Sequence, residues 1–263
     1  MLTTNFVPGA PTWIDLGSRD IPASAAFYNA VFGWQFESMG PDAGGYGMLQ
    51  LDGKNVGAIG GLDEGANPSW TAYFHTPDAD ATAKAVEQAG GTVRSEPSDV
   101  FPAGRMAHFS DPSGAQFAVW QPGEMQGFEL AGVDNTLYWV ELHTTDTAGA
   151  KSFYQQVFAW DYEDATMPGM TYTLITPSCG GVEAQHGGLM ELFPGSSGPA
   201  GTPNWHPVFA TPDCDAAFAT AVGRGATVIM PPDDAPEVGR LAMLLDPAGA
   251  QFALLTPVIP ATA

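Results

Sequence analysis

Basic residues are scarce in this chain of 263 residues: 8 Lys and Arg stand against 29 Asp and Glu, a formal net charge of -21. A field of that sign repels phosphate backbones and anionic lipid, which argues against nucleic acid and membrane surfaces as partners and leaves cationic or neutral molecules favoured. Cysteine is nearly absent. Cys179 and Cys214 form no Cys-x-x-Cys pair, so neither a disulfide scaffold nor a zinc ribbon is suggested. No run approaches the roughly 20 apolar residues of a membrane span. The segment Met1–Phe6 has no basic stretch leading into an apolar one, so a cytoplasmic protein with reduced thiols is expected. There is no Gly-x-Ser-x-Gly elbow and no Walker loop. Neither cysteine lies near a histidine expected in a binding site, which argues against a cysteine nucleophile.

What the chain does have is a repeat. Its length suits two ordinary domains, and an apolar fraction of 44% supplies real cores. Trp13-Ile14-Asp15-Leu16 returns 126 residues later as Trp139-Val140-Glu141-Leu142, Phe27-Tyr28 as Phe153-Tyr154, and Val31-Phe32-Gly33-Trp34 as Val157-Phe158-Ala159-Trp160. Further on the offset is 135. There Trp70 answers Trp205, Thr76-Pro77-Asp78 answers Thr211-Pro212-Asp213, and Asp111-Pro112-Ser113-Gly114-Ala115-Gln116-Phe117 answers Asp246-Pro247-Ala248-Gly249-Ala250-Gln251-Phe252. The change of offset implies an insertion near Phe193–Thr202, a Gly/Pro/Ser-rich loop.

Each copy divides again. An apolar strand leads to a helix started by Asp20, Asp78, Asp146 or Asp213, whose carboxylate suits the free amides of a first turn. Phe27, Tyr28, Val31 and Phe32 form one apolar helix face. Tyr46–Leu51, Lys54–Ile59, Met106–Ser110 and Gln116–Trp120 alternate like strands between turn residues. The unit is βαβββ, present four times, and the fold class is α+β.

This pattern resembles the vicinal-oxygen-chelate superfamily (glyoxalase, bleomycin-resistance and dioxygenase proteins), in particular its actinobacterial tandem members. The resemblance rests on the aromatic first strand, Asp20 with Ala26-Phe27-Tyr28, Phe32-Gly33-Trp34, the helix ending at Gly90-Gly91 and the closing Asp111-Pro112-Ser113-Gly114. It implies two cup-shaped domains, over 9–123 and 136–257, with 124–135 as linker. It also implies divalent-metal positions at Trp13, Thr71, Ala118 and a place near Ile59 in the first copy, and at Trp139, His206, Ala253 and near His186 in the second. Trp13 and Ala118 cannot coordinate, so the first domain is expected to hold no metal, while the second keeps part of a set.

Strand alternation then gives the cup linings. The ligand-binding candidates are Trp13, Asp15, Tyr73, His75, His108 and Trp120 in the first cup, and Trp139, Glu141, His143 and His206 in the second. An aromatic wall beside a carboxylate suits a flat molecule bearing a cation or hydrogen-bond donors. The leading expectation is a binding protein, without metal or other cofactor, for an aromatic or polycyclic metabolite or antibiotic, acting as an accessory or self-resistance factor. The alternative is a metal-dependent lyase or oxygenase with one divalent ion in the second domain, held by Glu141, His186 and His206. A plainer reading makes Trp13 and Trp139 core filler and pairs Asp15 and Glu141 with Arg105 and Arg240.

Overall fold

Each of the four helices begins on its aspartate. Asp20 accepts from the amide of Ala23 at 3.0 Å, Asp78 from Ala81 at 2.9 Å, Asp146 from Gly149 at 2.8 Å and Asp213 from Ala216 at 2.9 Å. These bonds satisfy donors that a first turn leaves unpaired. The computed structural model describes residues 2–62, 65–167, 170–192 and 201–258. Residues 193–200 of the expected insertion lie outside the described residues.

The first copy runs β1 (Pro11–Ser18), α1 (Ile21–Phe32), β2 (Gln35–Ser38), β3 (Gly47–Leu51), β4 (Lys54–Gly61), β5 (Ser69–His75), α2 (Ala79–Gln88), β6 (Thr92–Val100), β7 (Gly104–Ser110) and β8 (Gln116–Pro122). The second runs β9 (Leu137–Thr144), α3 (Thr147–Phe158), β10 (Trp160–Met167), β11 (Met170–Pro177), β12 (Gly187–Glu191), β13 (Asn204–Ala210), α4 (Cys214–Gly223), β14 (Thr227–Ala235), β15 (Gly239–Leu245) and β16 (Gln251–Pro257). Strand order is β2-β3-β4-β1-β5-β8-β7-β6 in one sheet and β10-β11-β12-β9-β13-β16-β15-β14 in the other. Both sheets are mixed: β1 pairs with β4 in parallel, and β9 with β12 likewise, while the outer strands are antiparallel. The α+β class and the fourfold βαβββ plan are therefore as the repeat suggests. Among the described residues, no helix is long and apolar enough to cross a membrane.

By packing, the chain gathers into two compact units. One comprises Met1–Trp13, Thr71–Gly127 and Trp139–Trp205. Its core is aromatic: the Tyr154 ring stacks on Trp160 with centroids 5.0 Å apart, amid Phe158, Phe117 and Trp205. The Tyr154 hydroxyl donates to Asp111 Oδ2 at 3.1 Å and accepts from Trp205 Nε1 at 2.7 Å. The other oxygen of Asp111 accepts from the amides of Ser113 and Ala115, closing the Asp-Pro-Ser-Gly turn. Burial, reinforced by Asp111, pushes the Tyr154 hydroxyl well above its ordinary pKa, so the phenol stays protonated and keeps its donor.

The other unit comprises Ile14–Trp70, Phe128–Tyr138 and His206–Ala263. It repeats the design with Tyr28 at the centre, stacked on Trp34 at 5.7 Å and packed against Trp70 and Phe252. The Tyr28 hydroxyl donates to Asp246 Oδ2 at 3.1 Å and accepts from Trp70 Nε1 at 2.9 Å. Asp246 Oδ1 accepts from the amides of Ala248, Gly249 and Ala250. Trp34 Nε1 donates to the Asn135 carbonyl at 2.7 Å, which ties down part of the segment expected as linker.

Candidate metal and ligand site

On β9 the side chains alternate. Val140 and Leu142 are fully buried on one face, and Trp139, Glu141 and His143 share the opposite, far face. His206 takes the same far face of the neighbouring β13, since Trp205 and Phe209 turn to the aromatic cores. The ligand atoms of Glu141, His143 and His206 all lie within 4.8 Å of one another. Both imidazoles are 1% exposed, and Glu141 is half-buried. His143 Nε2 lies 3.2 Å from Glu141 Oε2.

The carboxylate has a support behind it. Trp139 Nε1 donates to the Tyr172 hydroxyl at 2.9 Å, and Tyr172 hydrogen-bonds Glu141. Burial first, and Glu141 second, push the Tyr172 hydroxyl well above its ordinary pKa, so it remains a donor toward the carboxylate. Room for that phenol comes from a missing side chain. Gly188 stands opposite Glu141 on β12, and a Cβ there would lie 1.9 Å from the Tyr172 oxygen. Beside His206, Gln251 Nε2 sits 3.4 Å from Nδ1 and 3.2 Å from the Met243 sulfur.

The first copy places other groups at these positions. The counterparts of Glu141, His143 and His206 are Asp15, Gly17 and Thr71. A Cβ at Gly17 would meet Leu62 Cδ2 at 2.5 Å, so no ligand side chain fits there unless Leu62 moves. Tyr46 donates to Asp15 at 3.4 Å, matching the Tyr172–Glu141 pair. Tyr73 lies 3.1 Å from His108 Nε2, which brings those two candidates together. Trp120 is buried with its N–H on the Met125 carbonyl at 2.8 Å, and its strand pairs it with His75. Trp13 is buried. Burial lowers the pKa of both His75 and His108, with Arg94 adding to the effect on His108.

His186 stands just before β12, its ring centroid 5.3 Å from that of Trp160 and 6.3 Å from that of Phe74. Burial there lowers its pKa to about 3, so it is a neutral core ring at physiological pH. Among the described residues, the group that converges contains His143 rather than His186. The plainer pairing of Asp15 and Glu141 with arginines gives way: Arg105 is clamped by Asp80 and Asp99, and Arg240 by Asp215 and Asp234. A groove of about 590 Å³ beside the start of α1, lined by Ser18, Arg19, Asp20 and Leu62, contains none of the candidates. The residues that sequence reasoning missed are Tyr46 and Tyr172. The repeat carried their signal, since they lie 126 residues apart and each meets the acid of its own first strand.

Known proteins resemble the chain over both of its copies. The model of the Glyoxalase/Bleomycin resistance protein/Dioxygenase superfamily matches residues 11–119, and that of the Glyoxalase-like domain matches residues 139–255. The chain is 43% identical to the anthracycline biosynthesis protein DauV of Streptomyces sp. (strain C5), over 96% of this chain and 94% of that protein. In fold it is similar to 2,2',3-trihydroxybiphenyl 1,2-dioxygenase from Sphingomonas wittichii strain RW1, with a TM-score of 0.66 at 17% identity over 95% of this chain and 91% of that one. It is likewise similar to the Mn(II)-bound glyoxalase from Novosphingobium aromaticivorans, with a TM-score of 0.62 at 20% identity over 97% and 86%. With both of its copies matched, the chain belongs to the glyoxalase/bleomycin resistance protein/dioxygenase superfamily.

Proposed function

We propose that the far face of the second sheet is the working site, that it takes a small aromatic molecule, and that Glu141, His143 and His206 hold a divalent transition metal beside it. The observation that carries this is the convergence of two buried imidazoles and a carboxylate within 4.8 Å, at positions where the first copy offers only Asp15. Two imidazoles with one carboxylate suit first-row metals such as iron, manganese, nickel or zinc. Such an ion supplies Lewis-acid polarisation of an oxygen on the bound molecule. Tyr172 holds the Glu141 carboxylate in place, and Trp139 offers an indole face against which a flat ring can pack. DauV is named for anthracycline biosynthesis, and that supports a fused-ring aromatic as the molecule taken.

A second reading keeps the aromatic molecule and omits the metal, with the acid and histidines as hydrogen-bonding anchors. The direct 3.2 Å contact between His143 and Glu141 favours it, because the pair satisfies itself. One experiment separates the two. Protein purified without added metal is analysed for metal content, then titrated with Co(II) and with a cationic polycyclic aromatic while tryptophan emission is followed. The metal reading expects one Co(II) per chain, lost in both His143→Ala and His206→Ala and kept in Asp15→Asn. Ligand quenching without any Co(II) uptake leaves the metal-free reading. Neither metal uptake nor quenching ends both.

A further inference from the structure

One unusual polar atom near the cluster is the side-chain oxygen of Gln251. It is buried and among the described residues accepts no hydrogen bond, although the nitrogen of the same amide has two acceptors within reach, His206 Nδ1 and the Met243 sulfur. An amide N–H on Nδ1 requires that nitrogen to present its lone pair, so the proton of the neutral ring sits on Nε2.

We infer that Gln251 is a positioning residue that works against metal on His206 and so sets how tightly the site holds its ion; this rests on the metal reading above. A metal on Nδ1 competes with the Gln251 N–H for one lone pair. A metal on Nε2 displaces the proton there, and the neutral ring regains a proton on Nδ1, which then faces the N–H₂ of Gln251. Turning the amide over presents Oε1 to Nδ1–H, but moves the N–H₂ into the place where the oxygen now lacks any partner. Both routes cost a buried hydrogen bond. Metal-bound histidines ordinarily give their second N–H to an acceptor, and loss of such a partner changes affinity about 10- to 100-fold. In the first copy the equivalent Gln116 is engaged differently, accepting from Arg94, which leaves this arrangement to the second copy.

The test compares wild type with Gln251→Glu and Gln251→Leu. In metal-free protein, ¹⁵N NMR of the His206 ring should report the Nε2–H tautomer for wild type and Nδ1–H for Gln251→Glu. Gln251→Leu should lose the wild-type preference, and it carries the test if the buried glutamate prevents folding. Co(II) titration should give at least tenfold tighter binding for Gln251→Glu, with Gln251→Leu between the two. A wild-type ring already in the Nδ1–H form, or a tautomer indifferent to both substitutions, overturns the inference. So does equal Co(II) affinity in all three proteins. Failure of every protein to bind Co(II), with the tautomer shifting as expected, instead strikes the metal reading while Gln251's hold on His206 stands.

Discussion

Replacing His186 with phenylalanine isolates the cost of burying a titratable ring. The native ring lies among Phe74 and Trp160, and its pKa falls to about 3 from an ordinary 6.5. Between those two values the unfolded chain binds a proton that the folded chain refuses. Stability therefore rises with pH across the window: the full contribution is present above the unfolded value and is lost as pH falls toward the folded one. Each pH unit below 6.5 removes about 1.4 kcal/mol, which amounts to about 2 kcal/mol between pH 8 and pH 5. Phenylalanine keeps an aromatic ring in the slot and carries no proton. Urea unfolding followed by tryptophan fluorescence, at pH 8, 6 and 5, gives stability curves for both proteins. The wild type should lose about 2 kcal/mol more than His186→Phe over that range, whatever their absolute difference at pH 8. Parallel curves would refute the reasoning, because they would mean that His186 keeps an ordinary pKa in the folded chain.

Tyr28→Phe and Tyr154→Phe should each cost about 2 kcal/mol in urea unfolding, since each leaves a buried indole N–H and an aspartate oxygen short of a partner; a loss at one site only would break the equivalence of the two cores. Ala159 sits in the left-handed conformation, φ 55°, where the first copy has Gly33 at φ 79°. Ala159→Gly should therefore raise stability by about 0.5–1 kcal/mol, read as a higher melting temperature, whereas Gly33→Ala should lower it. Gly188→Ala pushes Tyr172 away from Glu141 and should weaken Co(II) binding about tenfold with little change in melting temperature; unchanged affinity would show that Tyr172 does not support the carboxylate.

Local signals were legible in the chain wherever one residue does one job. The four aspartates that start helices, the Asp-Pro-x-Gly turns and the alternation of β9 can each be read from a few neighbouring positions. The alternation correctly put Trp139, Glu141 and His143 on one face, and the matching β13 pattern added His206. What alternation cannot give is depth along a face or the identity of cross-strand neighbours. That is why His186 stood beside His206 in the expected set although it packs against Trp160, and why Tyr46 and Tyr172 went unnoticed. The aspartates of the turns and the tyrosines of the helices could each be singled out in the sequence. Their hydrogen bonds join residues 43 and 218 positions apart, a distance over which no local pattern speaks.

The aromatic cores bear on how such a duplicated gene can change. The core around Tyr28 takes its helix from the first copy and Phe209, Phe252 and the Asp246 turn from the second; the core around Tyr154 is built the other way round. Cutting the chain between its repeats would strip both helices of half their partners, so selection for folding must keep both copies even when only one of them works. The half-buried Asp15 and Thr71 on the far face of the first sheet are under less of that demand. The first copy is thus free to drift toward a different ligand, or toward none, while remaining indispensable as half of its sister's interior.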